Sequence, residues 1–214
     1  AICINKSDRR FANEDTADTI GDIGPLYGKQ PDGIVWSVLD QANIDRLAEN
    51  GSEISIGEFV VFGRPLDRLR MELDQDVADG VAFAANTPEE LAEKIGVSPE
   101  NFAATVAAYN EACAAGDDKE FFKQEKYLRP LSIPPFYAVA LATGTMGSAG
   151  GIRINGNMQV VDKDYEPIPG LYAVGLDATG LYGDSYNMEV PGAANGFAHT
   201  SGRIAGRHFA AQQA

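Results

Sequence analysis

Short apolar runs and helically spaced apolar residues alternate along the chain and predict a mixture of strands and helices. Runs rich in valine, isoleucine and aromatic side chains are typical of strands in a sheet. Such runs predict strands at 1–4, 33–39, 59–62, 81–84, 136–142 and 171–174. Apolar residues at a helical spacing predict helices after Asp40 to about 49, at 66–75, 88–95, 99–115 and 193–211, and a short helix within 16–32. The mixture predicts an α+β fold.

Two helix starts carry the clearest local signals in the sequence. Thr87 and Glu90 form a capping box around Pro88, which occupies the first helical position. Ser98 and Pro99 repeat the start signal for the next helix. A glycine directly after each apolar stripe predicts where each of these helices ends.

The segment 170–207 has the form of a strand, a glycine-rich loop and a helix. The glycines allow backbone amides to approach a bound group closely. Pro191 and Gly192 then open a helix of small residues, whose first N–H groups favour an electron-rich ligand edge. The same pattern also suits a strand and a helix that pack closely through glycine, so the pattern alone leaves both interpretations open. Upstream, Asn155 and Gly156 between two apolar runs predict a β-hairpin.

The overall charge limits the classes of partner. Asp and Glu number 31 against 17 Lys and Arg, which gives a formal net charge of −14. A surface of this sign repels nucleic acid and anionic lipid, so we expect neither as a partner. No apolar run approaches the roughly 18 residues of a membrane span, so we expect a soluble chain, cytoplasmic or exported. Arg9, Arg10 and the charged segment 117–129 are expected to face solvent.

Histidine and cysteine are too few for a typical metal site. The chain has two histidines, His199 and His208, and two cysteines, Cys3 and Cys113, without metal-type spacing. Both cysteines fall among apolar residues and are expected to be buried. We therefore expect no metal.

Six motifs, in their order and spacing, resemble one flavoprotein superfamily. They are RRFANE near the N-terminus, YNEACAAGDDKEF at 109–121, GTMGSAGGIRIN from 144, PIPGLYAVG at 167–175, GLYGDSY at 180–186 and SGRIAG at 201–206. Together they resemble the FAD-dependent fumarate reductase and succinate dehydrogenase flavoproteins. That superfamily also includes urocanate reductase-like and 3-ketosteroid dehydrogenase-like enzymes.

The resemblance implies a Rossmann-like FAD-binding domain with an inserted cap domain that closes over the flavin. It places residues 1–13 in the FAD-binding domain or a hinge, 14–140 in the cap, and 141–214 in the C-terminal part of the FAD-binding domain. The family's dinucleotide fingerprint, GxGxxG, is absent from the sequence. We therefore expect this chain to be a fragment whose partner is the missing N-terminal half of the FAD-binding domain. Alone, we expect it to bind FAD weakly or not at all and to be inactive.

The resemblance also assigns residues to the flavin. Gly175 and Asp177 match the loop near the ribityl and phosphate portion of FAD, although Leu176 stands where the family has Glu or Asn. The matching start of the last helix faces the pyrimidine edge of the isoalloxazine ring. Its four matched residues are Gly192, Ala193, Ala194 and Asn195.

The substrate side departs from fumarate reductases. Asp18 stands where those enzymes have the proton-donating Arg, and Glu189 stands nearest to the place of an Arg that clamps a substrate carboxylate. The region of Gly147 replaces their active-site His. Acids in these places repel a dicarboxylate, so fumarate and succinate are not expected as substrates. Tyr186, with Tyr182 beside it, is the expected proton-transfer residue by position.

The sequence therefore predicts a flavin-dependent oxidoreductase that acts on a C=C or C–C bond of a small, non-dicarboxylate molecule. Two alternatives stay open: a 3-ketosteroid dehydrogenase-like desaturase, and an inert cap or binding module. The electron donor and the substrate are not indicated.

Overall fold

The computed structural model describes residues 1–15, 20–53, 61–144, 150–178, 182, 190 and 192–213. The chain divides into two compact units, 1–143 and 144–214. Helices and strands occur in both, which confirms the predicted α+β class. The assignment of the two units to a cap and an FAD-binding domain stays a prediction.

The first unit is built on a four-stranded antiparallel sheet with the order β1-β2-β4-β3. Its strands are β1 (Ile2–Asn5), β2 (Ile34–Asp40), β3 (Ala82–Ala85) and β4 (Phe136–Ala142). All four lie within one residue or so of the predicted runs. The run at 59–62 lies partly outside the described residues, and its described end, 61–62, is not a strand.

Five α-helices among the described residues of this unit accompany the sheet. They are α1 (Ile20–Gly28), α2 (Gln41–Asn50), α3 (Leu69–Ala78), α4 (Pro88–Ile95) and α5 (Pro99–Ala115). The predicted caps are confirmed, since Thr87 Oγ1 accepts the N–H of Glu90 at 3.1 Å and Ser98 Oγ accepts that of Asn101. The α3 helix begins three residues later than predicted, because the N–H of Leu69 bonds the carbonyl of Leu66 in a turn.

The helices cover both faces of the sheet. On one face α4 and α5 bury the main core, which includes Ile2, Ile4, Val38, Leu91, Phe102, Tyr109 and Phe136. On the other face α2 and α3 bury a second cluster of Leu39, Ile44, Leu73, Ala82 and Tyr137. The neighbours Val38 and Leu39 point into different clusters, as the alternation of side chains along a strand requires.

Asp40 joins β2, α2 and the connector that precedes β4. Its side chain is fully buried, and one carboxyl oxygen accepts the N–H of Asn43 at 2.9 Å as the N-cap of α2. The other oxygen accepts the N–H groups of Ser132 and Ile133 at 2.9 and 3.0 Å. The predicted cap residue therefore also holds the proline-rich connector in place through these two hydrogen bonds.

In the described part of the second unit there are two strands and one long helix. They are β5 (Gln159–Val161), β6 (Pro167–Tyr172) and α6 (Ala193–Gln212), and β5 pairs with β6 in antiparallel fashion. The hairpin around Asn155 is confirmed by an antiparallel bridge between Ile154 and Val160. The prediction of a buried strand at 171–174 was wrong: β6 begins at Pro167, ends at Tyr172, and leaves Leu171 47% exposed.

No helix in the described part of the chain is long and apolar enough to cross a membrane.

Candidate functional site

The start of α6 is a helix N-terminus capped by glycine, without a side-chain cap hydrogen bond. Gly192 adopts a left-handed conformation with φ 79°, and its carbonyl accepts the N–H of Gly196 at 2.8 Å. A Cβ at Gly192 would meet nothing within 4 Å. Ala193 donates its N–H to the carbonyl of Val190 at 3.1 Å. The next donors, on Ala194 and Asn195, belong to the first turn, where no intrahelical carbonyl accepts them.

The predicted loop residue Gly175 packs against α6. Its N–H donates to Ser201 Oγ at 2.9 Å, and Ser201 in turn donates to the carbonyl of Phe197 at 2.6 Å. Gly175 has φ 63°, and a Cβ there would lie 3.6 Å from that of Ala198. The positive φ thus favours glycine here, and the N–H of Gly175 is used within the fold. Asp177, two residues on, is exposed.

Ser201 is a site residue that sequence reasoning missed. It is the one fully buried polar residue in the described part of α6, a helix in which most side chains are exposed. The only sequence signal is a serine on the same helix face as Phe197, four residues earlier. Such a serine is equally compatible with an exposed position, so the pattern does not identify it.

A second close approach joins two of the motifs. Gly151 passes so near the backbone of Asp177 that a Cβ on it would lie 2.5 Å from the carbonyl oxygen. The N–H of Ile152 donates to that oxygen at 2.7 Å, and Ile152 forms a parallel bridge with Ala178. Phe197 of α6 packs on the small cluster beneath, which includes Val160 and Ala178. The segments 150–154, 173–178 and 197–201 therefore meet in one place.

Three of the four predicted catalytic residues, Asp18, Tyr186 and Glu189, lie outside the described residues, as does Gly147. Tyr182 is described: it is partly buried, and its hydroxyl is out of contact with solvent. Within the described residues no group of three or more His, Cys, Asp or Glu is arranged to hold a metal ion.

The first unit contains a buried cluster of charges. The prediction of solvent exposure was wrong for Arg10 and Asp118, which are buried, whereas Arg9 is exposed as predicted. Arg10 donates from Nε and Nη2 to the two carboxylate oxygens of Glu14 at 3.0 and 2.9 Å. Its Nη2 also donates to Asp118 at 2.8 Å. The guanidinium lies 5.1 Å from the ring centre of Tyr109 and 4.8 Å from that of Phe121. The side chain of Arg10 is only 3% exposed.

Lys123 completes this cluster and is also buried, contrary to the prediction for 117–129. Its Nζ lies 3.3 Å from Glu14 and donates to the carbonyl of Ala1 at 2.7 Å. Glu14 accepts a further hydrogen bond from the N–H of Cys3 at 3.1 Å. Cys3 is buried as predicted, whereas Cys113 is only partly buried. Two cations therefore balance two carboxylates inside the unit.

The pairing keeps both carboxylates ionised. Burial acts to raise the pKa of Glu14, but the hydrogen bond from Arg10 and the charges of Lys123 and Arg10 outweigh it and lower the pKa. Burial also acts to raise the pKa of Asp118, but the hydrogen bond and charge of Arg10 outweigh it, so this pKa is lowered as well. The motif RRFANE contains a signal for part of this cluster, since Arg10 and Glu14 are four residues apart, a spacing typical of an ion pair. Nothing in the motif identified Asp118 as the third partner.

A cavity of about 620 Å³ lies beside this cluster along α5. Its walls combine alanines of α5 with charged residues of both signs, including Arg9, Glu111, Asp117 and Lys119. It contains none of the predicted catalytic or cofactor residues.

The sequence and the fold were compared with known proteins. The FAD binding domain family matches residues 1–192. A vinyl phenol reductase from Lactiplantibacillus plantarum is 36% identical over 212 residues, which cover 98% of this chain and 42% of that protein. The chain thus spans less than half the length of this relative.

Solved structures agree with this assignment. The open conformation of a flavocytochrome c3 fumarate reductase matches 96% of this chain and 31% of its own, with a TM-score of 0.58 and 26% identity. The 3-ketosteroid-delta4-(5alpha)-dehydrogenase from Rhodococcus jostii RHA1 matches 96% of this chain and 37% of its own, with a TM-score of 0.64 and 26% identity. The resemblance inferred from the motifs is therefore confirmed. The chain belongs to the FAD binding domain family, whose members include flavin-dependent reductases and steroid dehydrogenases.

Proposed function

We propose that this chain is the cap and the C-terminal part of the FAD-binding domain of a longer flavoenzyme. The enzyme transfers hydride between FAD and a C=C or C–C bond of a small molecule that is not a dicarboxylate. The observation that carries the proposal is the meeting of three motif segments beside α6, in a chain matched by the FAD binding domain family over residues 1–192. The division of the structure after Thr143 supports a domain boundary near residue 140.

The described residues fit the electron-rich edge of a flavin. The first turn of α6 presents the N–H groups of Ala194 and Asn195, and the N-cap glycine carries no side chain to obstruct a ligand. A helix N-terminus stabilises negative charge, which reduced flavin carries on its pyrimidine edge. When bound, the flavin would carry the hydride: its reduced form gives it to a C=C bond, and oxidised FAD accepts it in the reverse direction. Asp177 is exposed and available to the ribityl portion, while Gly175 holds the loop against Ser201.

The acids in the substrate region argue for an uncharged or cationic substrate. Asp18 stands at the place of the proton-donating Arg of fumarate reductases, and Glu189 stands nearest to the place of their carboxylate-clamping Arg. Negative charges in these places repel a dicarboxylate. The similarity to a vinyl phenol reductase over 98% of the chain supports a neutral alkene. An uncharged aryl alkene is therefore the preferred class of substrate.

Tyr186 is proposed to deliver the proton that accompanies hydride transfer, with Tyr182 as its neighbour. In the whole FAD-loaded protein, Tyr186→Phe is expected to slow the oxidation of reduced flavin by an alkene by about 10²-fold or more, because positioned acids contribute at least that much. Single-turnover absorbance measures this rate. Tyr165→Phe, in an exposed turn outside the predicted site, is the control and is expected to leave the rate unchanged. A Tyr186→Phe variant as fast as the wild type would remove Tyr186 from this role.

Two alternatives have distinct outcomes. The similarity to a steroid dehydrogenase structure favours a desaturase, which would oxidise a 3-ketosteroid and leave alkenes unreduced. An inert cap or binding module would show neither cofactor binding nor turnover in this chain alone. We expect the whole protein to be yellow with a flavin absorption band, and this chain alone to gain little or no band from added FAD, because it lacks GxGxxG.

A further inference from the structure

Ser201 joins two parts of the second unit through one hydroxyl group. Its side chain is fully buried. The hydroxyl oxygen accepts the N–H of Gly175 at 2.9 Å, and the hydroxyl donates to the carbonyl of Phe197 at 2.6 Å, with the carbonyl of Ala198 farther away at 3.2 Å. A hydroxyl has one proton to donate, so the bond to the helix carbonyl uses it. The turn that begins at Gly175 is therefore bonded directly to the middle of α6.

Gly175 depends on this bond. The residue is buried, so its N–H cannot turn to water when the serine hydroxyl is removed. Its backbone also lies against α6, since a Cβ on Gly175 would be 3.6 Å from that of Ala198. Loss of the hydroxyl is therefore expected to loosen the turn from the helix, because a buried N–H without an acceptor is costly.

The same turn carries Asp177, the residue proposed to face the ribityl portion of FAD. The N–H of Ala178 donates to the carbonyl of Gly175 at 3.2 Å and closes the turn. The carbonyl of Asp177 accepts the N–H of Ile152 at 2.7 Å, while its side chain is exposed. The turn is thus held from two sides, and Ser201 provides the bond to α6.

The other proposed flavin contact lies at the start of α6. Ala194 and Asn195, whose N–H groups belong to the first turn, precede Ser201 by seven and six residues. This separation is about two helical turns, or roughly 10 Å along the axis. Hydrogen bonds along the helix keep that distance fixed. One hydroxyl therefore sets where the turn with Asp177 lies relative to the helix N-terminus.

We propose that Ser201 is a positioning residue for FAD, which keeps the turn 175–177 and the N-terminus of α6 in the arrangement that one flavin contacts at two points. This inference rests on the proposed function and adds a residue to its cofactor site. A ligand that binds at two points gains full affinity only when both are already held in place, since otherwise binding has to order them. A ligand that uses one of the two points does not depend on their arrangement.

The test compares two flavins in the whole protein after its FAD has been removed. FAD carries the isoalloxazine ring and the ribityl chain, whereas lumiflavin carries the ring without the chain. The change in flavin fluorescence on binding measures both dissociation constants. Ser201→Ala is expected to raise the dissociation constant of FAD about tenfold, the effect of one lost hydrogen bond, and to leave that of lumiflavin unchanged.

His208→Ala is the matched control in the same helix. His208 Nδ1 and the hydroxyl of Tyr172 lie 2.9 Å apart and link α6 to β6, two turns beyond Ser201. Loss of this link is expected to change neither dissociation constant. Ser201→Cys keeps the size of the side chain but accepts hydrogen bonds weakly, so it should weaken FAD binding by less than Ser201→Ala. The cysteine variant provides the same comparison of flavins if the alanine variant does not fold.

Equal weakening of FAD and lumiflavin binding would overturn the inference, because Ser201 would then only stabilise the fold. Unchanged FAD binding would overturn it as well, and so would a wild type without measurable lumiflavin binding, since α6 would then not bind the ring by itself. The proposed function fails separately. A wild type that binds FAD but transfers no hydride to an alkene contradicts the proposed reaction and leaves the role of Ser201 intact.

Discussion

Replacing Arg10 with methionine is expected to lower the free energy of unfolding at neutral pH by about 3–5 kcal/mol, the cost of breaking a buried ion pair by removing one partner. Methionine fills much of the space between Tyr109 and Phe121 but leaves Glu14 and Asp118 without their shared cation. Urea unfolding monitored by circular dichroism measures the change.

The effect is expected to depend on pH. The pKa values of Glu14 and Asp118 are lowered in the folded protein, chiefly by Arg10 acting against burial. Their contribution is therefore complete above the unfolded values near 4.3 and 3.9 and is lost as the pH falls through the lower folded values. The difference between wild type and Arg10→Met should accordingly shrink below about pH 4.

Arg70 provides the matched control for Arg10. It also pairs with two carboxylates, those of Asp45 and Glu49, but it lies on the surface. Solvent screens such pairs, so Arg70→Met is expected to leave the unfolding free energy nearly unchanged. Equal and small effects of the two substitutions would mean that the cluster around Arg10 is not buried in solution.

The second large effect is expected for Asp40→Ala, which should lower the free energy of unfolding by about 3–5 kcal/mol. The substitution removes the buried N-cap of α2 and leaves the partly buried N–H groups of Ser132 and Ile133 without their acceptor. Because α2 and the connector both depend on this side chain, we also expect faster amide hydrogen exchange at Ser132 and Ile133.

Thr87→Ala is the control for Asp40→Ala. Thr87 caps α4 with a single exposed hydrogen bond, so its loss is expected to cost about 1 kcal/mol. A cost for Asp40→Ala that does not exceed that of Thr87→Ala would show that Asp40 acts only as a helix cap and does not fix the connector.

The sequence predicts the elements of this fold well where local chemistry determines them. The caps at Thr87 and Ser98 need only neighbouring residues, and the structure confirms both. The buried strand predicted at 171–174 failed because an apolar run does not reveal what covers it, and Leu171 is half exposed. Which face of a strand is covered depends on residues far away in the sequence.

The burial of the charged residues likewise depends on partners far away in the sequence. Arg10 and Asp118 are separated by 108 positions, so no local pattern indicates that they form a buried pair. The left-handed conformation of Phe122 is equally hidden, because phenylalanine carries none of the usual signals of a positive φ. The motifs were sufficient to identify the family, and the family match over residues 1–192 confirms it. The catalytic assignments of Asp18, Tyr186 and Glu189 rest on position alone and stay predictions.

The most direct measurement of the central claim follows single-turnover reoxidation of reduced FAD in the whole protein, without oxygen, after mixing with one alkene at a time. The account predicts that 4-vinylphenol restores the oxidised flavin band and is converted to 4-ethylphenol, while fumarate leaves the flavin reduced. Reoxidation by fumarate at the same rate or faster would contradict the account, because it would mean that the acids at 18 and 189 do not exclude a dicarboxylate.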